Sequence, residues 1–210
     1  MKKTRLLLAD DHVLFTEALY ALLEDEFEIV GVAADGRSAL AMAEKTKPDM
    51  IIMDISMPLL NGIDTGRMIH KRLPRTKIIY VSVHDDAEYV AEAFRSGASA
   101  YVVKRSAASE LRTAIHEALG GRAYVTPLVT REVLNVLVNP ERQAGPNLTV
   151  RQREVLQLAA EGKTLKEIAA ILNISVKTVE FHKSRISKEL NIQGTAELTR
   201  YALAHGLIEK

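Results

Sequence analysis

The sequence contains no cysteine. Disulfides and thiolate metal sites are therefore excluded. It also lacks an apolar run near the ~18 residues that a membrane helix needs, and it shows no secretory signal. A soluble, cytoplasmic protein is expected. Nor is there a large excess of either charge, since the formal net charge is +1. That balance conceals an asymmetry. Residues 1–120 hold 15 Lys and Arg against 18 Asp and Glu, a net of −3, while residues 121–210 hold 13 against 9, a net of +4. An acidic half followed by a basic half points the second half toward nucleic acid. With 210 residues, 47% of them apolar, the chain can build one or two domains with sizeable cores.

One stretch organises the first half: Met50-Ile51-Ile52-Met53-Asp54, then Ile55-Ser56-Met57-Pro58. A short apolar run ended by a breaker reads as a strand buried on both faces. Asp54 then sits at its carboxyl end, where open parallel sheets collect their ligands. Further strands are expected at 4–9, 27–33, 77–82 and 100–103. Helices are expected after Asp11, with Val13, Leu14, Ala18, Leu22 and Leu23 as apolar positions, and at 37–46, up to about 72, 86–95 and 107–119. Five strand–helix alternations imply a parallel sheet with right-handed crossovers.

On this reading Asp10, Asp11, Asp54, Ser82 and Lys104 all lie at carboxyl ends of strands. If the first and third strands are neighbours, three carboxylates share one pocket, and a divalent cation is needed to offset their repulsion. All-oxygen ligation favours Mg²⁺ or Mn²⁺ over zinc. Metal and lysine would neutralise a transferred phosphoryl group while a carboxylate attacks phosphorus.

Residues 3–120 resemble a response-regulator receiver domain through Asp10-Asp11, Asp54 within Met-Asp-Ile-Ser-Met-Pro-Leu-Leu-Asn-Gly, Ser82, Tyr101 and Lys104. The resemblance implies an α/β, flavodoxin-like, doubly wound sheet of five strands in the order 2-1-3-4-5. It implies that Asp54 accepts a phosphoryl group from a sensor histidine kinase. Asp11, Asp54 and the Ser56 carbonyl would ligate Mg²⁺, with Asp10 acting largely through a metal-bound water. Ser82 would hydrogen-bond the phosphoryl group, Tyr101 would swing inward as Ser82 moves, and Lys104 would pair with the phosphoryl oxygens. The chain departs from many receivers in having no proline after Lys104.

Gly120-Gly121 ends the receiver. Residues 127–138 could form a short amphipathic helix, and 139–147, with two prolines and a glycine, read as a flexible linker. The expected division is therefore 1–121, a linker at 122–147, and 148–210. Four helices fit the last part. Thr149-x-x-Gln152 and Thr164-x-x-Glu167 are capping boxes, Ser175 caps a third helix and Thr195 a fourth. Helices two and three, joined by a tight turn at Asn173-Ile174, form a helix-turn-helix. On the third helix Val176, Val179, Ile186 and Leu190 should face inward. Lys177, Phe181, Ser184, Arg185 and Lys188 should face outward, as suits a major groove.

This region resembles a LuxR-type helix-turn-helix, through Leu148-Thr149, Arg153-Glu154-Val155-Leu156, Glu161-Gly162-Lys163, Lys166-Glu167-Ile168-Ala169 and Ser175 to His182. Both halves together resemble the NarL/FixJ subfamily of response regulators. By that resemblance Glu180, Phe181 and Ser184 read bases, while Lys177, Thr178, Lys183, Arg185 and Lys188 hold phosphates. A phosphorylated homodimer would form through Ala196, Leu198, Ala202 and Leu203 of the fourth helix, bind promoter DNA and meet RNA polymerase. Two rivals stand beside this transcription-regulator reading. An aspartyl-phosphate hydrolase usually carries a second carboxylate two residues after its nucleophile; here that residue is Ser56, so no enzyme is expected. A phosphorylation-independent DNA-binding regulator, with its receiver as an interaction module, is opposed by the intact acidic pocket.

Overall fold

The structure, a computed structural model, describes residues 3–131, 133, 136 and 148–208. Its first part alternates β1 (Arg5–Ala9), α1 (Val13–Leu23), β2 (Glu28–Ala33), α2 (Gly36–Thr46), β3 (Met50–Met53), α3 (Gly62–Arg72), β4 (Lys77–Ser82), α4 (Ala87–Arg95), β5 (Ala100–Val103) and α5 (Ala107–Leu119). All strand pairs are parallel, in the order β2-β1-β3-β4-β5-β6. The expected five strands are thus six. The sixth, β6 (Tyr124–Val125), is only two residues long, too short to register as a hydrophobic alternation. It pairs with Ala100 and Tyr101 beyond the Gly120-Gly121 stop.

Apolar side chains of the central strands alternate between two cores. Ile51 and Met53 meet α2, α3 and α4 through Ala39, Ala43, Ile63, Ile69, Val90 and Ala93. Met50 and Ile52 meet α1 and α5 through Leu19, Leu23, Leu111 and Ile115. Helix α1 buries Thr16, Leu19 and Leu23. Val13 and Leu14, expected in its apolar stripe, are exposed, Leu14 at 83%. Thr16 takes an inward place because its hydroxyl donates to the Val13 carbonyl at 2.8 Å. A buried polar group satisfied within its own helix is invisible to apolar periodicity.

The last part comprises α6 (Val150–Ala160), α7 (Leu165–Leu172), α8 (Val176–Leu190) and α9 (Thr195–Ala204) around a third core. Both capping boxes close as expected, and Ser175 accepts from the Thr178 N–H at 3.1 Å. Asn173 turns the chain from α7 to α8 in the left-handed conformation, φ 51°. Three expectations are corrected. Thr195 is the first residue of α9, and its cap is Gly194, at φ 102°, without a side-chain bond. Val176 is 37% exposed, because it opens α8 directly after the cap, whereas Val179 and Ile186 are fully buried. Leu198 and Ala202, expected on a pairing face, are buried in the core of their own four helices. Of the expected helix at 127–138, Pro127–Val129 is a 3-10 turn. Most of the rest of that helix, and the expected linker at 139–147, lie outside the described residues.

Candidate functional site

Strand register builds the acidic pocket. Ala9 pairs with Met53, and the Asp54 N–H donates to the Ala9 carbonyl at 2.8 Å, so Asp10 and Asp54 leave the sheet side by side. Ser82 pairs with Val103, which brings Lys104 to the same edge. Lys104 Nζ lies 2.7 Å from Asp54 Oδ2 and 2.9 Å from Asp10 Oδ2. The other Asp54 oxygen accepts the Ile55 N–H at 2.6 Å. Burial pushes the Asp54 carboxyl up to about 6, against the pull of Lys104. Burial alone would lower Lys104, but the Asp54 and Asp10 carboxylates outweigh it and raise its pKa.

Asp10, Asp11, His12 and Asp54 each offer one ligand atom, all within 4.8 Å of one another. Asp11 Oδ1, 3.1 Å from His12 Nδ1, is buried and accepts no hydrogen bond. A crowd of carboxylate oxygens with one acceptor unsatisfied fits a hard divalent cation, and Mg²⁺ belongs to that class. His12 was not anticipated. Its Nδ1 sits 3.0 Å from Asp10 Oδ1. Its place directly after the acidic pair was the available signal.

Ser82 is buried at the end of β4, where its hydroxyl accepts the His84 N–H at 3.3 Å. Tyr101, expected to move inward, is already fully buried, and its hydroxyl donates to the His84 carbonyl at 2.7 Å. Ser56 Oγ faces His84 Nε2 at 3.2 Å. His84 was not singled out from sequence, yet it touches three of the expected site residues.

The second site is the outer face of α8. Lys177, Glu180, Phe181, Ser184, Arg185 and Lys188 are exposed; Thr178 and Lys183 are half-buried. Phe181 is 55% exposed, with the Arg185 guanidinium 5.1 Å above its ring. The Thr178 hydroxyl is engaged with the Ser175 hydroxyl at 2.8 Å. His182 meets Phe181 edge-on, and burial with Arg151 and Arg185 nearby lowers its pKa.

The family model for the response regulator receiver domain matches residues 6–116, and that for bacterial regulatory proteins of the luxR family matches residues 146–202. The chain is a response regulator of the NarL/FixJ type. Such response regulators join a receiver to a LuxR-type DNA-binding domain, as this one does. It is similar to the transcriptional regulatory protein MctR of Rhizobium johnstonii, 36% identical over 99% of this chain and 97% of that protein. It is also similar to the transcriptional regulatory protein DegU of Brevibacillus brevis, 34% identical over 99% and 96%. The RcsB response regulator of Salmonella typhimurium shares the fold, with a TM-score of 0.67 at 24% identity, over 98% of this chain and 99% of that one.

Contacts between the two domains were not foreseen. Arg153 of α6 grips Asp64 of α3 at 2.7 and 3.0 Å. Arg37 pairs with Glu154 at 2.8 Å. Gln157 accepts the Asn61 N–H and donates to the Met57 carbonyl, both at 2.8 Å. Glu161 accepts the Leu59 N–H at 3.0 Å. A glutamine inside Val155-Leu156-Gln157-Leu158 was the one sequence signal, because a buried polar side chain needs a partner.

Proposed function

We propose that Asp54 is the phosphoacceptor of this response regulator and that its phosphorylation controls transcription through DNA binding by α8. The observation that carries this reading is the Lys104 ammonium bridging Asp54 and Asp10 beside the Asp11 carboxylate. Asp54 Oδ forms the new O–P bond as the N–P bond of a kinase phosphohistidine breaks, the electron pair returning to the imidazole. Asp10, Asp11, Asp54 and the Ser56 carbonyl would hold Mg²⁺, which when bound offsets the charge on the phosphoryl oxygens. Ser82 donates its hydroxyl to a phosphoryl oxygen, and Lys104 pairs with another.

Glu180, Phe181 and Ser184 read base edges; Lys177, Thr178, Lys183, Arg185 and Lys188 hold phosphates. RcsB has been seen as dimers bound to DNA. The same arrangement here, a phosphorylated homodimer on promoter DNA in the cytoplasm, would present two copies of α8 to adjacent half-sites within reach of RNA polymerase. The experiment is phosphorylation by phosphoramidate with Mg²⁺, followed on a phosphate-affinity gel. Wild type is expected to incorporate one phosphoryl group and Asp54→Asn none. Equal incorporation by Asp54→Asn would falsify the assignment.

A further inference from the structure

Helix α8 turns one face outward, and the charges on that face are positive with a single exception. Lys177, Phe181, Ser184 and Lys188 share it with Glu180, at spacings of three and four residues, and all five are exposed. The other acid of α8, Glu189, comes nine residues later, about half a turn round the helix. Glu180 is therefore the one carboxylate that α8 presents beside its groove-facing side chains. Arg185 does not neutralise it, because the Arg185 guanidinium leans over the Phe181 ring. Lys177 and Lys183 are each three residues away, within helical reach of an ion pair. Yet among the described residues Glu180 makes neither an ion pair nor a hydrogen bond.

A carboxylate carried into a major groove meets phosphates on both walls and, on the base edges, mostly acceptors. Both repel it. The repulsion is offset only where a base presents an N–H donor, and two do: cytosine N4 and adenine N6. The adenine amino group has acceptors on both sides, its own N7 and the O4 of the paired thymine. The cytosine amino group has one on a single side, the O6 of the paired guanine, with the apolar C5–H on the other. A lone carboxylate is therefore repelled least at cytosine. We propose that Glu180 is a cytosine filter: its carboxylate accepts the N4–H of one cytosine in each half-site and rejects the other three bases at that position. The proposal rests on α8 being the helix that reads the groove, and it names the base that one residue of that helix requires. Glu180 supplies discrimination and not affinity. Against any duplex without the cytosine it weakens binding, while Lys177 and Lys188 beside it strengthen binding to every duplex alike.

The test is selection of bound duplexes from a random-sequence pool by the full chain with Mg²⁺ and beryllofluoride, for wild type and Glu180→Ala, followed by anisotropy titrations. Wild type is expected to select half-sites with a fixed cytosine, and to bind about ten-fold or more weakly when that C·G pair is replaced by T·A. Glu180→Ala is expected to lose the cytosine from its selected sites and to bind the two duplexes equally. It is also expected to bind an unrelated duplex more tightly than wild type does. Loss of any base other than cytosine, loss of none, or weaker binding of the unrelated duplex by Glu180→Ala overturns the filter. Phe181→Ala and Ser184→Ala separate the two failures. If either changes the selected sequence while Glu180→Ala does not, only the filter falls; if none of the three changes it, the reading of α8 as the groove-facing helix falls with it.

Discussion

Asp54 is a carboxylate that the fold makes costly to ionise. Its folded pKa, about 6, stands above the ordinary 3.8, with burial the main cause. A carboxyl raised on folding favours the native state while it is protonated. That contribution is complete below pH 3.8, is lost progressively between pH 3.8 and 6, and leaves the charged group destabilising above that window. In metal-free buffer, Asp54→Asn should therefore be more stable than wild type above pH 6, by up to about 3 kcal/mol. The difference should shrink toward pH 4. Urea unfolding at stepped pH checks this; a difference independent of pH would contradict it. Asp64 is the opposite case. Burial would raise it, but Arg153, Asn61 and Arg67 outweigh that and lower its pKa. Its contribution is present above the ordinary carboxylate pKa and disappears only as pH falls through the lowered folded value. The Arg153–Asp64 pair should accordingly hold at neutral pH and fail only in stronger acid, visible as an expansion in scattering. At this scale the pocket was legible, since Asp10, Asp11, Asp54, Ser82 and Lys104 each end a strand. His84 was not, because two of its contacts, Ser56 and Tyr101, lie far from it in the sequence.

Among the elements, the loop before α3 has the least spare room. A Cβ at Gly62 would come 2.0 Å from the Asp54 carbonyl oxygen, and one at Gly36 would come 1.9 Å from the Leu60 carbonyl oxygen. Gly62→Ala must push the Asp54 backbone aside. A destabilisation of about 1–3 kcal/mol is expected, together with slower phosphorylation; calorimetry and the phosphoramidate assay report the two effects. Element boundaries were readable wherever a cap announced them: Thr149 with Gln152, Thr164 with Glu167, Ser175 before α8. They failed where the backbone alone makes the cap, as at Gly194. Faces were readable where burial is complete, as for Val179 and Ile186. They were misread where a helix end overhangs its support, as at Leu14 and Val176, or where Leu198 and Ala202 serve their own core and not a second copy.

In the whole molecule, a receiver and a DNA-binding domain meet through polar side chains of α6. The division into two such parts was legible from composition and motif, since each carries its own family pattern. Their meeting was not, because Arg153, Glu154 and Gln157 find partners about ninety or more residues away. DNA binding should be governed by the charges on α8. Lys177→Ala and Lys188→Ala should each flatten the dependence of log affinity on log salt by about one phosphate contact. Fluorescence anisotropy on an unrelated duplex at several salt concentrations measures this; an unchanged slope would remove those lysines from the interface.

Strand β6 has a mechanical consequence. Val125 is paired with Tyr101, and the Thr126 hydroxyl accepts the Val103 N–H at 3.0 Å. The chain stays on the receiver a little beyond that anchored edge, with Val129 and Val133 buried in its core. From Val133 to Leu148 the covalent chain spans at most about 50 Å. Once undocked, the DNA-binding domain has that leash and no more. Neighbouring major-groove sites one helical turn apart, roughly 35 Å, fall well inside its radius. Two receivers could thus stay together while their arms reach separate half-sites.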